Sequence, residues 1–91
     1  MHNKKVDEIM IDKLYELIVS LKTKEDCKLL FEDLCTYKEI EQMAQRIRAA
    51  ELLLDGKTFK EVTQVVEISS ATLSRISRCV QYGEGYKKTL K

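Results

Sequence analysis

Apolar residues return every three or four positions along the start of the chain: Val6, Ile9, Met10, Leu14, Leu17, Ile18 and Leu21. That period predicts an amphipathic helix over residues 4–21. Lys22 closes it, and Thr23 with Asp26 forms a weak capping box that opens a second helix, lined by Cys27, Leu30, Phe31 and Leu34. Thr36 and Glu39 make another box, T-Y-K-E, and start a third helix. Its inward face is read as Ile40, Met43, Ala44, Ile47, Ala50 and Leu54, and it runs to Asp55-Gly56. Gly56 supplies the left-handed residue that ends such a helix.

The pattern then shortens. Thr58 and Glu61 form a T-x-x-E box ahead of Phe59, Val62, Val65 and Val66, which have helical spacing. Four β-branched residues, Val62, Thr63, Val65 and Val66, lower the intrinsic propensity of this helix, so packing must hold it. Ser69 or Ser70 caps the next helix. There Leu73, Ile76 and Val80 face inward with Cys79 beside them, and Thr72, Ser74, Arg75, Ser77, Arg78 and Gln81 face outward. Gly83 and Gly85 break this helix, and Tyr86 to Lys91 is read as a last helical turn or a loose end.

Two short helices joined by a tight turn, with the second free of acidic residues from Ile68 to Tyr82, form a helix-turn-helix suited to the DNA major groove. Short polar side chains at the helix start let the backbone approach base edges, and arginines reach guanine or phosphate. On this reading Ser70, Ala71 and Thr72 lie nearest the bases, with Ser69 and Ser74 beside them. Ala71 or the Thr72 methyl would meet a thymine methyl. Arg75 and Arg78 reach phosphates or a guanine, and Lys57 and Lys60 hold the backbone. The alternative is a helical hairpin that docks a protein partner, for which salt would matter less.

The charge distribution favours DNA. The net charge is only +1, but residues 1–56 hold nine Lys/Arg against twelve Asp/Glu, and residues 57–91 hold seven against three. An acidic body therefore carries a basic head. Ninety-one residues, 44% hydrophobic and without proline, describe one helical domain. Its segments are dimerisation helices over 1–56, the helix-turn-helix over 57–82 and a short tail over 83–91. The chain has more apolar surface than one small monomer encloses, which calls for a second copy. Three cysteines, Cys27, Cys35 and Cys79, have no paired spacing and read as buried thiols of a cytoplasmic protein. His2 is the single histidine, so no metal constellation or other cofactor is expected. No apolar run approaches membrane-spanning length.

Several segments carry a family likeness. Ser69-Ser70-Ala71-Thr72-Leu73-Ser74-Arg75 resembles the start of a recognition helix in the Trp repressor family, and Gln45 to Gly56 resembles the long helix that enters that family's DNA-reading head. Phe31-Glu32-Asp33-Leu34-Cys35-Thr36, Glu39-Ile40, Ala44-Gln45-Arg46 and Arg78-Cys79-Val80-Gln81-Tyr82-Gly83 are similar to segments of its YerC/YecD group. The likeness runs from about Leu14 to Gly83 and is specific in combination. It implies an all-α, Trp repressor-like multi-helical fold, an interlocked homodimer, and a regulator, most simply a repressor, on a near-palindromic operator in double-stranded DNA.

The resemblance also implies an effector pocket. In the family two arginines sandwich an indole ring, and they fall on Arg46 and Arg75; a threonine at the start of the long helix falls on Thr36. The tryptophan-binding members have glycine after the second arginine, where this chain has Ile76, and the loop from Gly56 to Thr58 is one residue shorter. A branched side chain in the ligand's space leaves no room, and overpacking costs about 1–3 kcal/mol. Tryptophan is therefore not expected to be the effector, and Arg46 is then free for a phosphate, or pairs with Glu39 or Glu51. An enzymatic alternative also exists, since small all-helical dimers isomerise chorismate with Arg, Lys, Glu and Gln. This chain has Gln45, Arg46, Arg48 and Glu51, but no inward polar cluster repeats on the first helix. The expectation is a DNA-binding protein and not an enzyme.

Overall fold

The computed structural model describes residues 4–90, with side chains from Asp7 onward; His2 and the Val6 side chain lie outside them. Regular structure among the described residues is entirely helical: α1 (Lys4–Ser20), α2 (Lys24–Leu34), α3 (Tyr37–Leu54), α4 (Phe59–Thr63), α5 (Ser70–Tyr82) and α6 (Gly85–Leu90). The chain divides into two compact units, Met1–Thr36 with α1 and α2, and Tyr37–Lys91 with α3 to α6.

In the first unit, the Thr23 side chain caps α2 by accepting from the Asp26 N–H at 3.0 Å. No described residue of this unit is buried. Two helices cannot enclose a side chain between them, so the apolar stripe of α1 stays open. The large apolar residues from Ile9 to Val19 are each more than a third exposed. For the same reason Cys27 is exposed and not buried as expected, and Cys35, like Cys79 of the second unit, is only partly covered.

The core belongs to the second unit. Ala49, Ala50, Leu52, Val62, Val66, Leu73, Ile76 and Val80 form it, with Leu53, Leu54, Ile68, Tyr86 and Leu90 packed against it. Helix α3 packs chiefly on α5. Ala49 and Ala50 have no exposed surface, and their small side chains let the helices approach closely. This corrects the expected phase of α3: Ile47 is 47% exposed and Ala44 is exposed, whereas Ala49 and Leu52 lie inside. Ala50 and Leu54 of the expected face do lie in or against the core, so the face is rotated and not reversed.

Gly56, at φ 87°, closes α3 as expected, and the Lys57 N–H returns to the Leu52 carbonyl at 3.0 Å. Helix α4 has only five residues and ends at Thr63, with Gln64 as its C-cap. The helical period therefore stops before Val65, which sits in the following turn 58% exposed, and Phe59 at the first helical position is 43% exposed. Of the four apolar residues with helical spacing only Val62 and Val66 are inside. The tail is ordered as α6, whose Tyr86 and Leu90 pack on the core formed by α3 and α5. Lys87 Nζ donates to the Gln81 carbonyl at 2.9 Å and ties α6 to the end of α5.

Candidate nucleic-acid interface

The second helix of the pair starts at a serine cap, and Ser69, of the two candidates, provides it. Its hydroxyl oxygen accepts from the Thr72 N–H at 3.1 Å, and its O–H donates to Thr72 Oγ1 at 2.9 Å. Leu73, Ile76 and Val80 are buried, as their spacing predicts. This fixes the rotation of α5 and turns Ser70, Ala71, Arg75 and Arg78 to solvent, with Thr72 and Ser74 partly covered at the margin. Arg75 and Arg78 form no ion pair among the described residues, so both guanidinium groups are available to an anion.

The helix before it is held by a reciprocal cap. Thr58 N–H donates to Glu61 Oε1 at 2.9 Å, and Glu61 N–H donates to Thr58 Oγ1 at 3.1 Å. Lys57 and Lys60 are exposed on either side of this cap. The Thr58 backbone N–H is the main reason the Glu61 carboxyl titrates below its ordinary value. The Thr58 hydroxyl is second, desolvation opposes both, and the Lys57 charge adds a smaller pull downward. A depressed carboxyl stabilises the fold fully above its unfolded pKa, and the contribution disappears as pH falls through the folded one. Glu61→Gln keeps a residue that completes a capping box but cannot ionise. Thermal denaturation is thus expected to show wild type ahead of Glu61→Gln at neutral pH, with the gap closing in acid. A gap that stays constant across the acid range would exclude the cap as its source.

The structure places the residues of the expected effector pocket in different surroundings. Arg46 is exposed on α3, and Glu51 pairs with Arg48 at 3.4 Å and not with Arg46. Arg75 is exposed on α5, whereas Ile76 is 3% exposed and belongs to the core between α3 and α5. Thr36 ends the first unit, immediately before α3. A cleft of about 230 Å³ does include Arg46, but its other walls are Gln42, Gln45, Glu67, Ile68, Ser69 and Thr72.

The sequence reading missed Gln45. Its Oε1 accepts from the Glu67 N–H at 3.1 Å, across 22 residues of chain, and so joins α3 to the turn ahead of α5. A polar residue one position from Arg46 gives no sequence signal of such a partner. Among the described residues no group of three His, Cys, Asp or Glu is arranged to hold a metal ion, and no helix is long and apolar enough to cross a membrane.

Comparison with known proteins agrees with this geometry. The model of the Trp repressor protein family matches residues 10–91. The protein YerC of Bacillus subtilis (strain 168) is 41% identical over 81 residues, 88% of this chain and 78% of the relative. A crystal structure of a candidate Trp repressor from Staphylococcus aureus superposes with TM-score 0.86 at 34% identity, covering 99% of this chain and 91% of the other. A TrpR-like protein from Eubacterium eligens ATCC 27750 superposes with TM-score 0.87 at 32% identity, covering 97% and 92%. With a helix-turn-helix capped at Thr58 and Ser69, and a match spanning nearly all of its length, the chain belongs to the Trp repressor protein family.

Proposed function

We propose that this protein is a transcriptional regulator that binds double-stranded DNA sequence-specifically as a homodimer, acting as a repressor in the cytoplasm. The observation that carries the proposal is the exposed face of α5. Its cap, Ser69, leads directly into Ser70, Ala71 and Thr72, and Arg75 and Arg78 follow with no ion pair to satisfy them. Such a helix start reaches base edges in the major groove, and the arginines reach phosphate or guanine. Lys57 precedes the first helix and Lys60 lies in its first turn, where they meet the DNA backbone. Membership of a family of DNA-binding regulators supports the same reading.

A homodimer places two such helices in successive major grooves, so its operator is a near-palindrome with half-sites about 10 base pairs apart. Selection of genomic fragments on the purified protein, at near-physiological salt and with no ligand added, tests this. Recovery of a short palindrome supports the proposal. Recovery of nothing above background turns attention to a protein partner for the same face. Binding must also weaken steeply with salt, because phosphate contacts release counterions.

Two substitutions separate the roles within the interface. Thr72→Ala is expected to relax sequence preference at one base position by about 1–3 kcal/mol. Lys60→Ala should weaken binding to every sequence about equally and reduce the salt slope by about 1. Titration of both variants against the operator and a scrambled duplex reads this out. Uniform loss in both would remove Thr72 from the base-reading set.

Tryptophan is excluded as corepressor on this proposal. The resemblance gives the tryptophan-binding members a glycine where this chain has Ile76, which is 3% exposed in the core, and on this proposal the head needs no ligand to take its binding pose. Calorimetric titration with L-tryptophan should give no saturable heat. Clear saturation at micromolar ligand would overturn the assignment of Ile76.

A further inference from the structure

We infer that Gln45 is a positioning residue, a latch that fixes the recognition helix for sequence-specific DNA binding; this rests on the DNA-binding reading above. The turn from Glu67 to Ser69 sets how α5 enters the groove, because Ser69 is its cap. That turn lies between two buried anchors, Val66 on one side and Leu73 on the other. Gln45 Oε1 accepts from the Glu67 N–H at 3.1 Å, and Gln45 is itself partly buried on α3. Helix α3 carries Ala49 and Ala50 into the core, so it is the rigid part of the unit. The bond therefore ties the turn to the scaffold.

The latch acts before DNA arrives. Without it, the Glu67 N–H needs water, and the turn samples orientations in which Ser70 to Thr72 do not meet base edges. Specific binding depends on that registration, whereas non-specific binding depends on charge alone. The loss should fall on the ratio of the two affinities.

The test uses Gln45→Met and Gln45→Glu. Methionine keeps the length and helix propensity of glutamine and has no acceptor of comparable strength. Glutamate retains the acceptor oxygen and adds a negative charge, which lowers specific and non-specific affinity together. In Gln45→Met, exchange of the Glu67 amide hydrogen without DNA is expected to rise roughly fivefold, and the specific-to-non-specific ratio to fall about tenfold. In Gln45→Glu, exchange and ratio both stay within about twofold of wild type, the scale of a retained bond.

Unchanged Glu67 exchange in the methionine variant would overturn the latch. So would an equal fall of the ratio in both variants, which would mean that Gln45 touches DNA directly. Absence of any sequence-specific binding by wild type would defeat the DNA reading instead, and the exchange measurement would still judge the latch.

Discussion

Leu73→Ala should cost about 3–4 kcal/mol of folding stability, a large share of what a domain of this size possesses. Leu73 is 1% exposed and sits where α5 meets α3. Truncation leaves a cavity in the core that Leu73 shares with Ala49, Ala50, Leu52, Val62, Val66, Ile76 and Val80. A cavity term therefore adds to the lost transfer energy. Chemical denaturation at fixed protein concentration measures the loss, because association with a second copy would otherwise mask it. The effect on DNA binding should follow stability and not precede it: below the new melting temperature, operator affinity should be near wild type. A loss under 1 kcal/mol would mean that α5 is not anchored through this residue.

The contrast with Ile47 shows which parts of the fold were legible. In α5, three large apolar residues at i, i+3 and i+7 all point one way, and polar residues fill the rest, so both the core face and the exposed face follow from spacing. The caps were equally readable. Thr58 with Glu61 and Ser69 with Thr72 are local hydrogen bonds between neighbours in the chain, and residue type with spacing determines them. In α3 the apolar residues are spread around the helix, and periodicity placed Ala50 and Leu54 correctly but included Ile47 and left out Ala49. Which side faces α5 is decided by how closely two helices can approach, a tertiary property that alanines permit and isoleucines do not.

The same limit explains the rest of the site. The helical spacing of the apolar residues runs on to Val66, but α4 ends at Thr63, and Val65 turns outward. The tail gave only a weak local pattern, yet Tyr86 and Leu90 secure it as α6 because the core offers them a surface. Gln45 shows the limit most clearly. Its partner lies 22 residues away and is a backbone N–H, which has no sequence signature at all. The pairing of Arg46 with Glu51 gave way for a local reason: the two are five apart, whereas Arg48 lies three residues before Glu51 on the same helix face and pairs with it.

Replacing Leu17 and Ile18 together by glutamate should convert the protein to a monomer and lower operator affinity about a thousandfold. The argument begins with α1, where Leu17 and Ile18 are 40% and 36% exposed among a run of exposed apolar neighbours. A stripe of that size exceeds the scattered apolar residues that a monomer normally exposes. A second copy of the chain is the proposed cover. Glutamate is compatible with a helix, and neither position contributes to the core of Ala49, Leu73 and Ile76, so the helix-turn-helix should survive the change. Four introduced charges per dimer would have to be buried without partners, which the interface cannot supply. Sedimentation should then report a single chain, and each α5 should bind a half-site alone. The large loss arises because the second half-site is no longer bound intramolecularly, while contacts within each half-site persist. Binding to an isolated half-site should therefore be nearly equal for the variant and a wild-type subunit. If the variant sediments as wild type, α1 is not the dimer surface, and its exposed stripe has another occupant.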